Sequence, residues 1–241
     1  MADVTATLLG SLADGVGRTQ YTLVHTTPGA NKRLVVAVGN QDSTANTADA
    51  ITSITRTGYT FTQIAGSDVL FSGSDQRQGQ WWTAAGISSP ASADILINFA
   101  ANQGGCIAHV FELASEDTTT PVPQVKTGTG TGVSTIATSL DSALASASSL
   151  VMVAISISDN VNIVPEAGWT EPIGADSSHA SPATALAVHM KLNDSSSNPT
   201  WSGSLAVGWS AIEVQAAVVA GGQPTMRRWE QIPGMKYTGR L

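Results

Sequence analysis

The sequence predicts an all-β chain: a two-sheet antiparallel β-sandwich of about eight to ten strands, built from two related halves and followed by an extended C-terminal arm. Three observations lead there. Short β-type runs fill the chain from end to end, the two halves repeat one another weakly, and the pattern stops at Gly221-Gly222.

The runs are rich in Val, Ile, Thr and aromatic residues and are bounded by Gly, Pro, Asn, Asp or Ser, the signature of strands between turns. They include Val4-Thr5-Ala6-Thr7-Leu8-Leu9, Tyr21-Thr22-Leu23-Val24, Leu34-Val35-Val36-Ala37-Val38, Tyr59-Thr60-Phe61-Thr62-Gln63-Ile64, Gln80-Trp81-Trp82-Thr83 and Ile95-Leu96-Ile97-Asn98-Phe99. Residues 107–113, 150–155, 169–170, 185–192, 200–201 and 205–219 follow. Leu186, Val188, Met190 and Leu192 alternate with Ala187, His189 and Lys191, which gives one apolar and one mixed face. Residues 139–149 are the one stretch compatible with a short helix.

The repeat appears when insertions are allowed. Leu34-Val35-Val36-Ala37-Val38 matches Leu150-Val151-Met152-Val153-Ala154, Gly58-Tyr59-Thr60 matches Gly168-Trp169-Thr170, and residues 107–112 resemble residues 210–214. The offset drifts from 116 to 110 to about 103 residues. A solenoid holds its period, so the drift predicts two facing Greek-key halves.

The expected domain is residues 1–220, with halves at about 20–115 and 148–220. Residues 114–149, rich in Ser, Thr, Gly and Ala with Pro121 and Pro123 near the start, are expected to form a surface crossover carrying one edge strand at 122–127. Residues 39–50 are a polar loop, and 177–182 and 193–198 are expected as tips. Beyond Gly221-Gly222, residues 221–241 show neither period and form a basic extended arm.

Composition narrows the function. Charged residues are 12% of the chain, so hydroxyls keep the outer faces wet, which suits a protein held in an assembly. The net charge of −7 divides unevenly: the arm carries Arg227, Arg228, Lys236 and Arg240 against Glu230, leaving an acidic body that repels phosphates. Nucleic acid is therefore not an expected partner. No apolar run approaches the ~20 residues of a membrane span, and residues 1–10 lack signal-peptide features. One cysteine fits synthesis in a reducing cytoplasm without a disulfide framework.

No catalytic, cofactor or metal-binding residue is expected. His25, His109, His179 and His189 have no ligand at metal spacing. Cys106 has no histidine or cation beside it and is expected as a buried small apolar residue. No nucleophile elbow is present, Glu116, Asp117 and Glu166 are expected as solvated loop charges, and Lys126-Thr127-Gly128-Thr129-Gly130-Thr131-Gly132 lacks the end of a phosphate loop and is expected as a linker. Trp169, Trp201 and Trp209 are expected in the core. Adjacent Trp81 and Trp82 point to opposite faces, which makes Trp82 the candidate exposed aromatic for a surface glycan. In the arm, Met226, Trp229, Ile232, Met235 and Tyr237 are too few to bury one another and are expected to seek a partner surface, with Arg227, Arg228, Lys236 and Arg240 pairing to acidic groups there; the alternative is that the arm folds back onto its own sandwich.

The order of the Leu34-Val35-Val36-Ala37-Val38 strand, the Gly58-Tyr59-Thr60-Phe61 hairpin, the Trp81-Trp82 strand and residues 107–113 resembles jelly-roll-like β-sandwich proteins encoded by tailed bacteriophages. The Arg227-Arg228-Trp229 end looks like the short basic ends of such chains, and the resemblance covers most of residues 20–220. It implies a non-enzymatic structural protein of the virion, a capsid cement or decoration protein made in the host cytoplasm and seated on the capsid surface. Its implied partners are the major capsid protein and itself, a homotrimer being one arrangement. The alternative is a receptor- or glycan-binding module of a phage tail or fibre.

Overall fold

The computed structural model describes residues 2–42, 50–72, 76–181 and 183–217. Their β-branched and aromatic runs form seventeen strands and no helix. In the first half these are β1 (Thr5–Asp14), β2 (Arg18–Leu23), β3 (Arg33–Gln41), β4 (Ile51–Arg56), β5 (Tyr59–Gln63), β6 (Val69–Ser72), β7 (Gln76–Ala84), β8 (Ile95–Gln103) and β9 (Gly105–Ala114). The second half contributes β10 (Val125–Thr135), β11 (Thr138–Ser139), β12 (Leu150–Ile157), β13 (Ile163–Val164), β14 (Asp176–Ala180), β15 (Ala183–Leu192), β16 (Ser196–Ser197) and β17 (Thr200–Val214).

All pairings are antiparallel. The first half runs β1-β9-β3-β7-β5-β4-β8-β2, with β6 beside β7, and curls so that β1-β9-β3-β7 and β2-β8-β4-β5 form the two layers of a jelly roll. The second half runs β10-β17-β12-β15-β14, with β13 beside β17 and β11 paired to β16. Thus β10-β17-β12-β15 repeats β1-β9-β3-β7, and β11-β16 repeats β2-β8 in miniature. The expected sandwich of two related halves is present, but each half has nearly the strand count expected of the whole. The halves also start earlier than expected, because β1 belongs to the first and β10 to the second.

Three cores follow from this stacking. The first lies inside the first half and contains Leu34, Val36, Val38, Trp82, Ile97 and Val110. The second lies between the halves and joins Val35, Ala37, Trp81 and Phe111 to Met152, Leu186, Val188 and Ile212. A third, with Val151, Val153, Trp169, Trp201 and Trp209, lies on the outer face of the second half. Strands β3 and β12 are therefore buried at every position, one face in each of two cores. Full burial of such side chains stabilises by about 1.5–3 kcal/mol each.

The middle core is also cross-braced by hydrogen bonds. Trp81 Nε1 donates to the Ser210 carbonyl at 3.0 Å, His109 Nε2 meets the Leu186 carbonyl at 3.1 Å, and Arg77 Nη2 donates to the Ala183 carbonyl at 3.0 Å. Close approach of the sheets depends on small residues. A Cβ on Gly208 would sit 2.3 Å from Cδ1 of Phe71, so β6 can lie on β17 only if that position carries no side chain.

The internal repeat extends to individual bonds. Gly58 and Gly168 both hold positive φ, 82° and 86°, in the turns that deliver Tyr59 and Trp169 to their respective cores. Glu112 Oε2 accepts the Gly29 N–H at 2.8 Å, and Glu213 Oε1 accepts the Ala145 N–H at 2.7 Å. Opposite these glutamates stand Leu34 and Val151. The match of Leu34 to Leu150 is thus one residue out of phase, since a strand apolar on both faces has no alternation to fix its register.

Other segments differ from expectation. The crossover carries the long strand β10: Lys126–Gly130 pairs with β17, and Gly128 leaves room for the Trp209 indole, which a Cβ would meet at 2.7 Å. Residues 139–149 are not helical, 177–180 belong to edge strand β14, and 196–197 form β16. Of the polar loop at 39–50, residues 39–41 are strand and 43–49 lie outside the described residues.

Substituting Gly208→Ala forces a methyl into the Phe71 ring and is expected to cost about 1–3 kcal/mol, lowering Tm by roughly 2–4 °C per kcal/mol for a chain of this size. Thermal unfolding followed by circular dichroism measures the loss, and the halves are expected to melt in one transition because they share the middle core.

Candidate functional site

The chain enters, turns and leaves at one end of the stacked sheets. Val4 N donates to the Ser148 carbonyl at 3.1 Å, which seats the entry to β1 beside the start of β12. Thr170 and Met190 exchange backbone bonds of 2.9 and 2.8 Å, which fixes the end of β15. Between these elements Val4, Ala6, Leu150, Met190 and Leu192 line an open, mainly apolar groove of about 360 Å³. Leu150 pairs across β12 with Val214, the last residue of β17, so the chain leaves at the groove end. The bonds from Gln215 N to Pro121 O and from Ala217 N to Ser115 O, both 2.9 Å, anchor that exit.

Ionisable groups gather along the β14–β15 edge. His189 Nε2 lies 3.2 Å from Glu171 Oε2. Burial pushes Asp176 up to about 6, with Glu171 adding to the rise, while the bond from Ile163 N to its Oδ2 works against it. His109 is buried in the middle core, and burial lowers it to about 4 against the opposing Leu186 carbonyl and Glu171. It is therefore neutral at pH 7. Its Nε2 faces a carbonyl and carries the proton, leaving Nδ1 as an acceptor 3.0 Å from Ser11 Oγ. The Ser11 hydroxyl also reaches the Gly174 carbonyl, so its one proton serves one acceptor at a time. This arrangement ties β1 and β9 to the 174 turn and to β15. Among the described residues no group of three His, Cys, Asp or Glu could hold a metal ion, and no helix is long and apolar enough to cross a membrane.

The sequence-predicted site residues fare unevenly. Met226, Arg227, Arg228, Trp229, Ile232, Met235, Lys236, Tyr237 and Arg240 lie outside the described residues. Trp82 is not an exposed aromatic: it is 8% accessible and packs inside the first half, its Nε1 donating to Gln80 Oε1 at 3.0 Å. Both faces of its sheet are covered, so opposite pointing takes Trp81 and Trp82 into two different cores. Trp169, Trp201 and Trp209 are core residues as expected. Cys106 is buried and its thiol is pushed up by that burial. Asp117 and Glu166 sit in turns, accepting N–H bonds from Thr119 and Asn198. Glu116 departs from expectation, since it is half-buried beside Arg33 at 3.7 Å. Sequence reasoning missed the groove altogether: its walls come from residues 4–6, 150, 168, 170 and 190–192, which no local motif connects.

Comparison with known proteins finds no matching family model, no matching curated protein and no matching solved structure.

The His109 geometry fixes a pH dependence. An unfolded histidine binds its proton near 6.5 and this one only near 4, so between those values the unfolded chain holds more protons. The stabilisation is complete above 6.5 and is lost as pH falls, by about 3 kcal/mol. Asp176, raised from 3.8 to about 6, acts in the opposite direction over an overlapping range. Urea unfolding of wild type and His109→Gln between pH 7 and 4 cancels the Asp176 contribution, and the variant is expected to show the flatter loss of stability on acidification.

Proposed function

We propose that this chain is a non-enzymatic structural protein of a bacteriophage virion, a capsid cement or decoration protein that binds and stabilises major capsid subunits. The observation that carries the proposal is the duplicated jelly roll itself. Two such units packed through a common core make a rigid body, which suits a part that must hold its shape between neighbouring subunits. The histidines and the cysteine lend themselves to structural roles: His109 braces the halves, and Cys106 fills the first core. The outer strand β10, with exposed threonines and few charges, fits a surface kept in a permanent assembly.

In this proposal the body is a spacer and residues 221–241 supply adhesion. Trp229, Met226, Ile232 and Tyr237 would be buried against capsid subunits while Arg227 and Arg228 pair with acidic groups. Aromatic and arginine residues concentrate interface energy, at about 2 kcal/mol or more for each hot spot.

Particles assembled with the full chain and with a chain lacking residues 221–241 test the proposal. Deletion is expected to reduce bound copies more than tenfold, consistent with loss of two or more hot spots at about 2 kcal/mol each. Unchanged occupancy of the shell, or a location confined to a few copies at a tail tip, would overturn the assignment.

A further inference from the structure

We propose that in the free protein residues 221–241 dock in the apolar groove of their own chain, between the entry to β1 and the ends of β12 and β15. The proposal rests on the adhesive role given to this segment above and adds that the segment is held back until a partner displaces it.

Position supports this occupant. The described chain ends at Ala217, at the end of the sheets where the groove opens, and 24 residues follow. From β17 the groove lies beyond β12 toward β15, a crossing of roughly 10 Å at the usual strand spacing. Met226, nine residues past Ala217, has a reach of about 30 Å when extended, and Gly221-Gly222 supplies a place to turn. A tethered segment also faces its own groove at an effective concentration of about millimolar, which favours it over a second copy.

Chemistry supports it as well. The groove is mainly apolar, and Leu192 on its lining is 37% accessible. Met226, Trp229 and Ile232 are large apolar residues in a segment too short to cover them itself. Residues 115–217 carry nine carboxylates and two lysines. Both lysines are engaged, Lys126 with Asp141 at 2.9 Å and Lys191 with Asp194 at 2.8 Å. Asp3 adjoins Val4, and Glu166 lies two residues before Gly168. On the groove itself the charged lining residue is Lys191, paired with Asp194, while the half of the chain that supplies most of the lining is acidic and the segment brings four cations and one acid.

Limited trypsin digestion of the full-length protein, read by intact mass as cleavage after Arg227 and Arg228, tests the docking. Two variants weaken it from opposite sides: Leu192→Glu on the groove and Trp229→Ala on the segment, the latter outside the described fold. Each is expected to be cut about tenfold faster than wild type, since cleavage tracks the undocked population. The wild-type rate should not change with protein concentration. If Trp229→Ala is cut at the wild-type rate, or if protection grows with concentration as it would for a second copy in the groove, the proposal is overturned. Particle occupancy reports separately on the adhesive role, because loss of occupancy on deletion together with unprotected arginines would sink only the docking.

Discussion

The shared core between the two jelly rolls is the constraint from which the rest of the molecule follows. Strands β3 and β12 lie in the middle of their sheets and are covered on both faces, so neither has a position at which a solvated side chain fits. Three large polar side chains of the first half placed in this region have partners across it: the Trp81 indole, the His109 imidazole and the Arg77 guanidinium each reach a carbonyl of the other half. An unpaired buried polar group costs about 1–3 kcal/mol, so these bonds matter less for the energy they add than for the penalty they remove.

The two halves are unequal in how they close their outer faces. The first half completes both layers of its jelly roll, with β2-β8-β4-β5 covering β1-β9-β3-β7. In the second half the corresponding layer shrinks to the two-residue pair β11 and β16. Three tryptophans take its place: Trp169, Trp201 and Trp209 pack with Leu140 and Ile163 on the outer face of β12 and β17. Large rings can fill volume without a ladder of strands, but indole N–H groups need acceptors, and Trp201 Nε1 finds one in the Val133 carbonyl at 3.0 Å. The unequal closure leaves the second half more dependent on the middle core than the first.

Local chemistry made much of the fold legible in the sequence. Strand runs, the repeat and the buried cysteine all depend on features a short window contains. What was hidden depends on what covers what. Nothing near Trp82 announces that its sheet is covered on both sides, so alternation placed it outside. The Thr-Gly stretch at 127–132 has the composition of a linker, and only the Trp209 indole lying against Gly128 shows why a strand there needs glycine. The groove is still less visible, because Val4, Leu150, Met190 and Leu192 meet only through the tertiary fold.

The paired glutamates show how duplication and divergence can be separated. General β packing does not require a carboxylate on the last full strand of each half to bind the N–H of a preceding loop, yet Glu112 and Glu213 do so toward Gly29 and Ala145. Common ancestry of the halves accounts for this more simply than packing does. Their surroundings have since diverged. Glu112 keeps some solvent contact, whereas Glu213 is fully buried and accepts a second bond, 2.7 Å, from Gln124 Nε2. With Glu213 N donating to Gln124 O, the approach to β10 and the loop at Ala145 are both tied to β17 through one residue. Residues 140–149 have no strand or helix of their own beyond Ser139, and this double tether gives a physical reason why so irregular a segment stays seated over the outer core.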